Sequence, residues 1–177
     1  MTLTTHALVG VAAASLFPTH PYIAFAAGFA SHFAIDALPH YDYSEYLRSF
    51  KRDLVSHLHT DMVLGKYFLR DLAIIGGDAL LGFILTFVAA KLLDIPPELA
   101  LVGAGAGLYP DLLQFVYYKI RTTRFGSELQ YLQRFHIWVQ KDNSRPEWGW
   151  QKGFAYQAAL VAAIFIVLAY RNFFIAW

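Results

Sequence analysis

The sequence predicts an all-α fold: a polytopic membrane helical bundle of about five membrane helices plus two amphipathic interfacial segments. Three observations predict it. Of 177 residues, 57% are hydrophobic and 15% charged, with mean hydropathy +0.40, against about 45–50% and roughly 25% in an average soluble domain. Three apolar stretches are long enough to cross a bilayer, which takes ~20 residues. Of the 14 Lys and Arg residues, 12 fall on one side of the resulting topology, the asymmetry of the positive-inside rule. The length suits one integral-membrane domain over residues 1–177. A net charge of +1 gives no nucleic-acid surface, so the expected partners are membrane lipids and an amphiphilic substrate. The absence of cysteine excludes disulfides, thiolate nucleophiles and Cys-ligated metals.

The elements follow in order. No Lys or Arg precedes Arg48, so the basic start of a signal peptide is missing. Thr4 and Thr5 can cap a first helix reaching about Phe17, short for a span and able to form a re-entrant hairpin with the second. The Pro18–Pro21 turn leads to that second helix, about Tyr22 to Leu38, which Pro39 ends. A wet segment follows, in which Leu47, Phe50, Leu54 and Leu58 recur at helical spacing and predict an amphipathic helix. The third helix runs from about Asp71 to Leu93 and the fourth from about Pro97 to Ile120. Gly103 and Gly107 form a GxxxG pair that permits close helix contact. In the second wet segment Ser127 and Gln130 fit a capping box. Phe125, Leu129, Leu132, His136 and Val139 then mark one face of an interfacial helix. The last span is about Phe154 to Trp177. The N-terminus and both basic segments are expected in the cytoplasm, and the C-terminus outside the cytoplasmic membrane.

Asp36, Asp78 and Asp111 lie inside apolar segments, where a charged Asp costs about 2.5–3.5 kcal/mol at mid-span. Apart from Lys119 at the cytoplasmic end of the fourth helix, the spans offer only Lys91 and Arg171, both at the far side. The carboxylates must therefore be protonated, paired with His, or bound to a cation. Asp78 lies ~10 Å and Asp111 ~13 Å from the cytoplasmic end of its helix at 1.5 Å per residue, and Asp36 is close to that end, so one level for all three is expected. Histidines gather there too. His6 opens the first helix, His32 and Asp36 share a helix face at i, i+4, and His40 and Asp42 follow Pro39. His136 takes an apolar-face position, and His57 is a possible neighbour. Each has a plainer reading: His6 as a helix-end residue, His32 and Asp36 as a mutual pair, and His40 and Asp42 as a solvated turn. Asp78 can bond a neighbouring helix, Asp111 can cap a half-helix broken at Pro110, and His136 can anchor at the interface.

A His/Asp set without Cys suits a divalent metal, Zn²⁺ foremost, with Mn²⁺, Fe²⁺ or Mg²⁺ as alternatives. The candidate ligands are His6, His32, Asp36, His40, Asp42, Asp78 and Asp111, enough for one ion or two. Asp36, Asp78 and His136 are the candidates for catalysis. Thr5-His6, the run Ser31-His32-Phe33-Ala34-Ile35-Asp36-Ala37-Leu38-Pro39-His40-Tyr41-Asp42, and Tyr109-Pro110-Asp111 resemble the YdjM-like family of membrane-bound metal-dependent hydrolases. The resemblance covers the first 42 residues well and the fourth helix loosely. It implies an inner-membrane, metal-dependent protein with His6, His32, Asp36, His40 and Asp111 at the metal site. The chain ends the motif in Pro-His-Tyr-Asp, where such proteins often carry a Pro-Asp-x-Asp ending.

The expected function is hydrolysis of a lipid or lipid-phosphate substrate at the cytoplasmic face. Arg121, Arg124 and Arg134 serve either a phosphate headgroup or positive-inside charge. No HExxH occurs, which disfavours a zincin-type protease. The alternatives are an ion- or proton-coupled transporter using Asp36, Asp78 and Asp111, and a non-catalytic protein whose helices a metal ties together.

Overall fold

A computed structural model describes residues 1–51, 53, 56, 58–140 and 143–174. Among them are six α-helices: α1 (Leu3–Ala14), α2 (Pro21–Asp36), α3 (Phe68–Leu92), α4 (Pro97–Ile120), α5 (Arg124–Gln140) and α6 (Gly149–Phe174). Three helices are long and apolar enough to cross a membrane: α3, α4 and the segment Pro146–Arg171 that contains most of α6. The other two apolar helices are shorter. At 1.5 Å per residue α1 spans ~18 Å and α2 ~24 Å, against a hydrocarbon core of about 30 Å.

The short α1 sits at the centre, packed against α2, α3, α4 and α6. Glycine makes this possible. A Cβ on Gly107 would lie 2.3 Å from the His6 carbonyl oxygen, and one on Gly10 would lie 2.3 Å from that of Gly103. The two backbones therefore touch, as the GxxxG pair predicts. Around the seam the core is built of small residues, Ala7, Val11, Ala14, Ala100 and Ala104 among them. Helix α4 stays continuous through Pro110. Helix α3 ends with Asp94 at φ 54°, and the Ile95 amide donates to the Ala90 carbonyl at 2.8 Å. That is the six-to-one bond of a Schellman stop.

Three local expectations are corrected. The cap of α1 is Thr2, whose hydroxyl accepts from the Thr5 amide. Among its described residues the first wet segment forms no amphipathic helix. It holds a 3₁₀ turn (Tyr43–Tyr46) and a hairpin in which β1 (Phe50–Lys51) pairs antiparallel with β2 (Asp61–Met62). A long-range bond to α3 and a local side-chain bond compete with the helix there. The Ser49 amide donates to Asp71 at 2.6 Å, and the Ser56 amide donates to Asp53 at 3.2 Å. Leu54 and His57 lie outside the described residues. Helix α5 begins three residues before the expected box, with the Gly126 amide donating to Thr123 Oγ1 at 3.1 Å. Its buried face is Gly126, Gln133, His136 and Val139, while Phe125 is exposed.

Gly107→Leu should destabilise the detergent-solubilised protein by about 1–3 kcal/mol or more, the usual cost of overpacking. Gly76→Leu, where a Cβ meets nothing within 4 Å, should leave the thermal midpoint near wild type. Equal midpoints for the two variants would contradict the seam.

Candidate metal centre

The centre forms where α1, α2, α4 and α5 meet. Asp36 ends α2 and is fully buried. Its Oδ1 accepts from the Met1 ammonium at 2.9 Å and lies 3.2 Å from His6 Nε2. Its Oδ2 accepts from Gln140 Nε2 at 2.6 Å and lies 3.3 Å from both His32 Nε2 and His136 Nε2. The His40 Nε2 stands 3.9 Å from Oδ1. Asp111 adds a second carboxylate, 3.8 Å from His32 Nε2 and 3.9 Å from His136 Nε2.

The imidazoles are oriented from behind. His32 Nδ1 is 2.8 Å from the Gly107 carbonyl oxygen. A carbonyl only accepts, so Nδ1 carries the proton and a neutral ring turns its Nε2 lone pair inward. His40 repeats the device, with Nδ1 2.8 Å from the Leu38 carbonyl oxygen. Burial first, and then the Met1 ammonium, hold the His40 imidazole below the ordinary histidine range, which favours the neutral, ligating form. The His6 ring stacks on His32 with centroids 3.9 Å apart.

Two groups have the spacing of metal ligands: His6, His32 and Asp36, and His32, Asp111 and His136. Within each, the donor atoms lie within 4.8 Å of one another. The residues fit a divalent metal on a second count. Among the described residues, neither nitrogen of His6 makes a hydrogen bond, although Nε2 lies 3.2 Å from Asp36 Oδ1, and neither does His136 Nδ1, although all are buried. Buried polar atoms are rarely left so. The Nε2 atoms of His32 and His136 lie 3.1 Å apart, so two potential lone pairs converge on one point.

Of the residues singled out in the sequence, His6, His32, Asp36, His40, Asp111 and His136 come together. Asp42 stands beside them on the wall of a cavity of about 590 Å³ that Asp111 also lines, and its carboxylate accepts from the Ser44 amide at 2.8 Å. Asp78 is placed elsewhere, at the N-terminus of α1. It accepts from the Leu3 amide at 2.7 Å, the Thr4 amide at 3.1 Å and the Tyr43 hydroxyl at 2.9 Å. A carboxylate there also meets the positive end of the helix dipole. Burial, then Asp78 itself, push the Tyr43 hydroxyl well above the ordinary tyrosine range, so it stays a donor. Arg121, Arg124 and Arg134 do not line the cavity.

Sequence reasoning missed four polar contributors: the Met1 ammonium, the Gly107 carbonyl, Gln140 and Gln157. Gln157 of α6 accepts from the Thr2 amide at 2.9 Å and donates to the Tyr41 carbonyl at 3.1 Å, which ties the start of α1 to the segment after α2. Comparison with known proteins found no matching family model, curated protein or solved structure.

Asp78→Ala should lower stability by about 1–2 kcal/mol, the size of a lost helix cap, and leave bound metal unchanged. Thermal unfolding and elemental analysis of the same samples check this. Metal lost at unchanged stability would contradict the capping role.

Proposed function

We propose that this chain is a membrane-embedded, metal-dependent hydrolase whose His/Asp centre lies near the cytoplasmic face and acts on a lipid or lipid-phosphate substrate. The observation that carries the reading is the convergence of His32, His136, Asp36 and Asp111, with Asp111 opening onto the cavity. The resemblance of residues 5–42 to the YdjM-like family points the same way. The placement of 12 of 14 Lys and Arg residues favours a cytoplasmic N-terminus and centre by the positive-inside rule.

In this reading His6, His32, Asp36, Asp111 and His136 hold the metal, with His40 beside them and Zn²⁺ as the ion that best suits the set. A bound divalent ion supplies Lewis acidity and makes hydroxide accessible near neutral pH. The chain's own groups do the rest. Asp36, out of solvent, orients the imidazoles and balances the Met1 ammonium. Asp111 is 25% exposed, so it is the carboxylate that a substrate meets. The Gly107 carbonyl keeps the His32 proton on Nδ1, away from the reacting side. The apolar body of the cavity keeps bulk water from the centre and favours an amphiphile.

Purified protein should contain Zn, Mn or Fe by elemental analysis, and His136→Ala and Asp36→Ala should lose most of it. His32→Ala should abolish lipid-phosphate turnover while the circular dichroism spectrum stays that of wild type. Metal absent from wild type, and turnover absent under every metal tried, would remove the reading. Ion flux in liposomes without turnover would favour transport instead.

A further inference from the structure

The cavity reaches well beyond the cluster. On α3 it is lined by Leu72, Ile75, Ala79 and Phe83, spaced by three and four residues and so forming one helical face ~16 Å long. On α4 it runs from Tyr118 down to Gly105, ~9 Å deeper than Asp111. Polar groups gather at mid-height, on the wall that carries Met1, Asp42, Asp111 and Gln140. Below them the lining is Ala79, Phe83, Gly105 and Leu108, and above them Leu47, Phe50 and Met62 form an apolar roof. No Lys or Arg is among the lining residues described.

Gly105 shows what the lower part is for. Its neighbours in the repeat, Gly103 and Gly107, press on α1, where a Cβ would meet backbone within 2.7 Å and 2.3 Å. Gly105 is two residues from each and faces the other way, and a Cβ there meets nothing within 4 Å. The absent side chain leaves a slot between α3 and α4. Both helices are long and apolar enough to cross a membrane, and Leu72 and Leu112 on the rim are exposed. At that depth the surrounding medium is hydrocarbon, and a narrow apolar slot open to it and continuous with a polar wall matches a molecule with one chain and one head.

We propose that the slot between α3 and α4 takes one alkyl chain of a membrane amphiphile, entering sideways from the bilayer, with the polar head beside Asp111 and Asp42. This deepens the hydrolase reading and rests on it for the fate of the head. The chain lies along Ala79, Phe83, Gly105 and Leu108. The head has no Lys or Arg partner on the described wall, and the Met1 ammonium there is committed to Asp36, so an anionic head depends on the cation held by the cluster, whereas an uncharged head does not.

The test uses full-length protein in dodecylmaltoside and a long-chain primary alcohol with a diazirine near its methyl end. Its uncharged head makes labelling independent of metal. Labelling should concentrate on residues 79–83 and 105–108. Gly105→Phe should cut labelling there by about tenfold, because the ring occupies the chain's place. Gly76→Phe is the matched control, since that position also meets nothing within 4 Å and does not line the cavity; it should label like wild type. Labelling spread evenly over the outward faces of α3 and α6, and indifferent to Gly105→Phe, would overturn the slot even if metal-dependent turnover is found. Slot labelling in a protein that neither binds metal nor turns over lipid phosphate would support the slot and remove the hydrolase reading.

Discussion

One buried carboxylate organises this molecule. Asp36 is withdrawn from solvent among apolar helices, with no Lys or Arg side chain beside it among its described partners. An isolated charge in such a place is costly, so it must be paired and fully hydrogen-bonded. The fold answers with groups from four directions: the Met1 ammonium ahead of α1, His6 of α1, His32 of α2, and His136 with Gln140 of α5. Removing Asp36 leaves a buried ammonium unpaired, and removing Gln140 takes away the amide that donates to its Oδ2. The helices that meet here are thus held in register by electrostatics as well as by packing.

Backbone proximity sets the register. The contact of α1 with Gly103 and Gly107 brings the His6 turn onto α4, and the Gly107 carbonyl then orients His32. One glycine therefore both allows the close approach and exposes the acceptor that fixes a tautomer. Asp78 completes the placement by binding the first amides of α1, while Gln157 ties the same turn to α6. Helix α1 is too short to cross a bilayer, and its start is anchored by side chains from α3 and α6. The shortest helix at the centre is thus tied to α2, α3, α4 and α6.

Much of this was legible in the sequence, for definite reasons. His32 and Asp36 share a face by their i, i+4 spacing, and the GxxxG pair announced a tight crossing. His136 fell on the inward face of an amphipathic pattern. Asp78 shows the limit of that reasoning. Counting residues gives height along a helix and not the neighbour a side chain meets, so an acid at the expected depth binds the end of α1 instead of the histidines. The hairpin was hidden because hydrophobic spacing outvoted a short-range bond to Asp53 and a long-range one to Asp71 of α3. The Met1 ammonium, the Gly107 carbonyl and Gln157 carry no periodic signal; only the tertiary arrangement gives them a role.

The imidazoles and carboxylates around Asp36 have the spacing of a metal centre. Anomalous diffraction from crystals grown with Zn²⁺, recorded on both sides of the zinc edge, tests it most directly. An anomalous peak is expected at coordinating distance from His32 Nε2, His136 Nε2 and at least one of Asp36 and Asp111. A peak only at surface residues, or none within the cluster at full zinc loading, would contradict it.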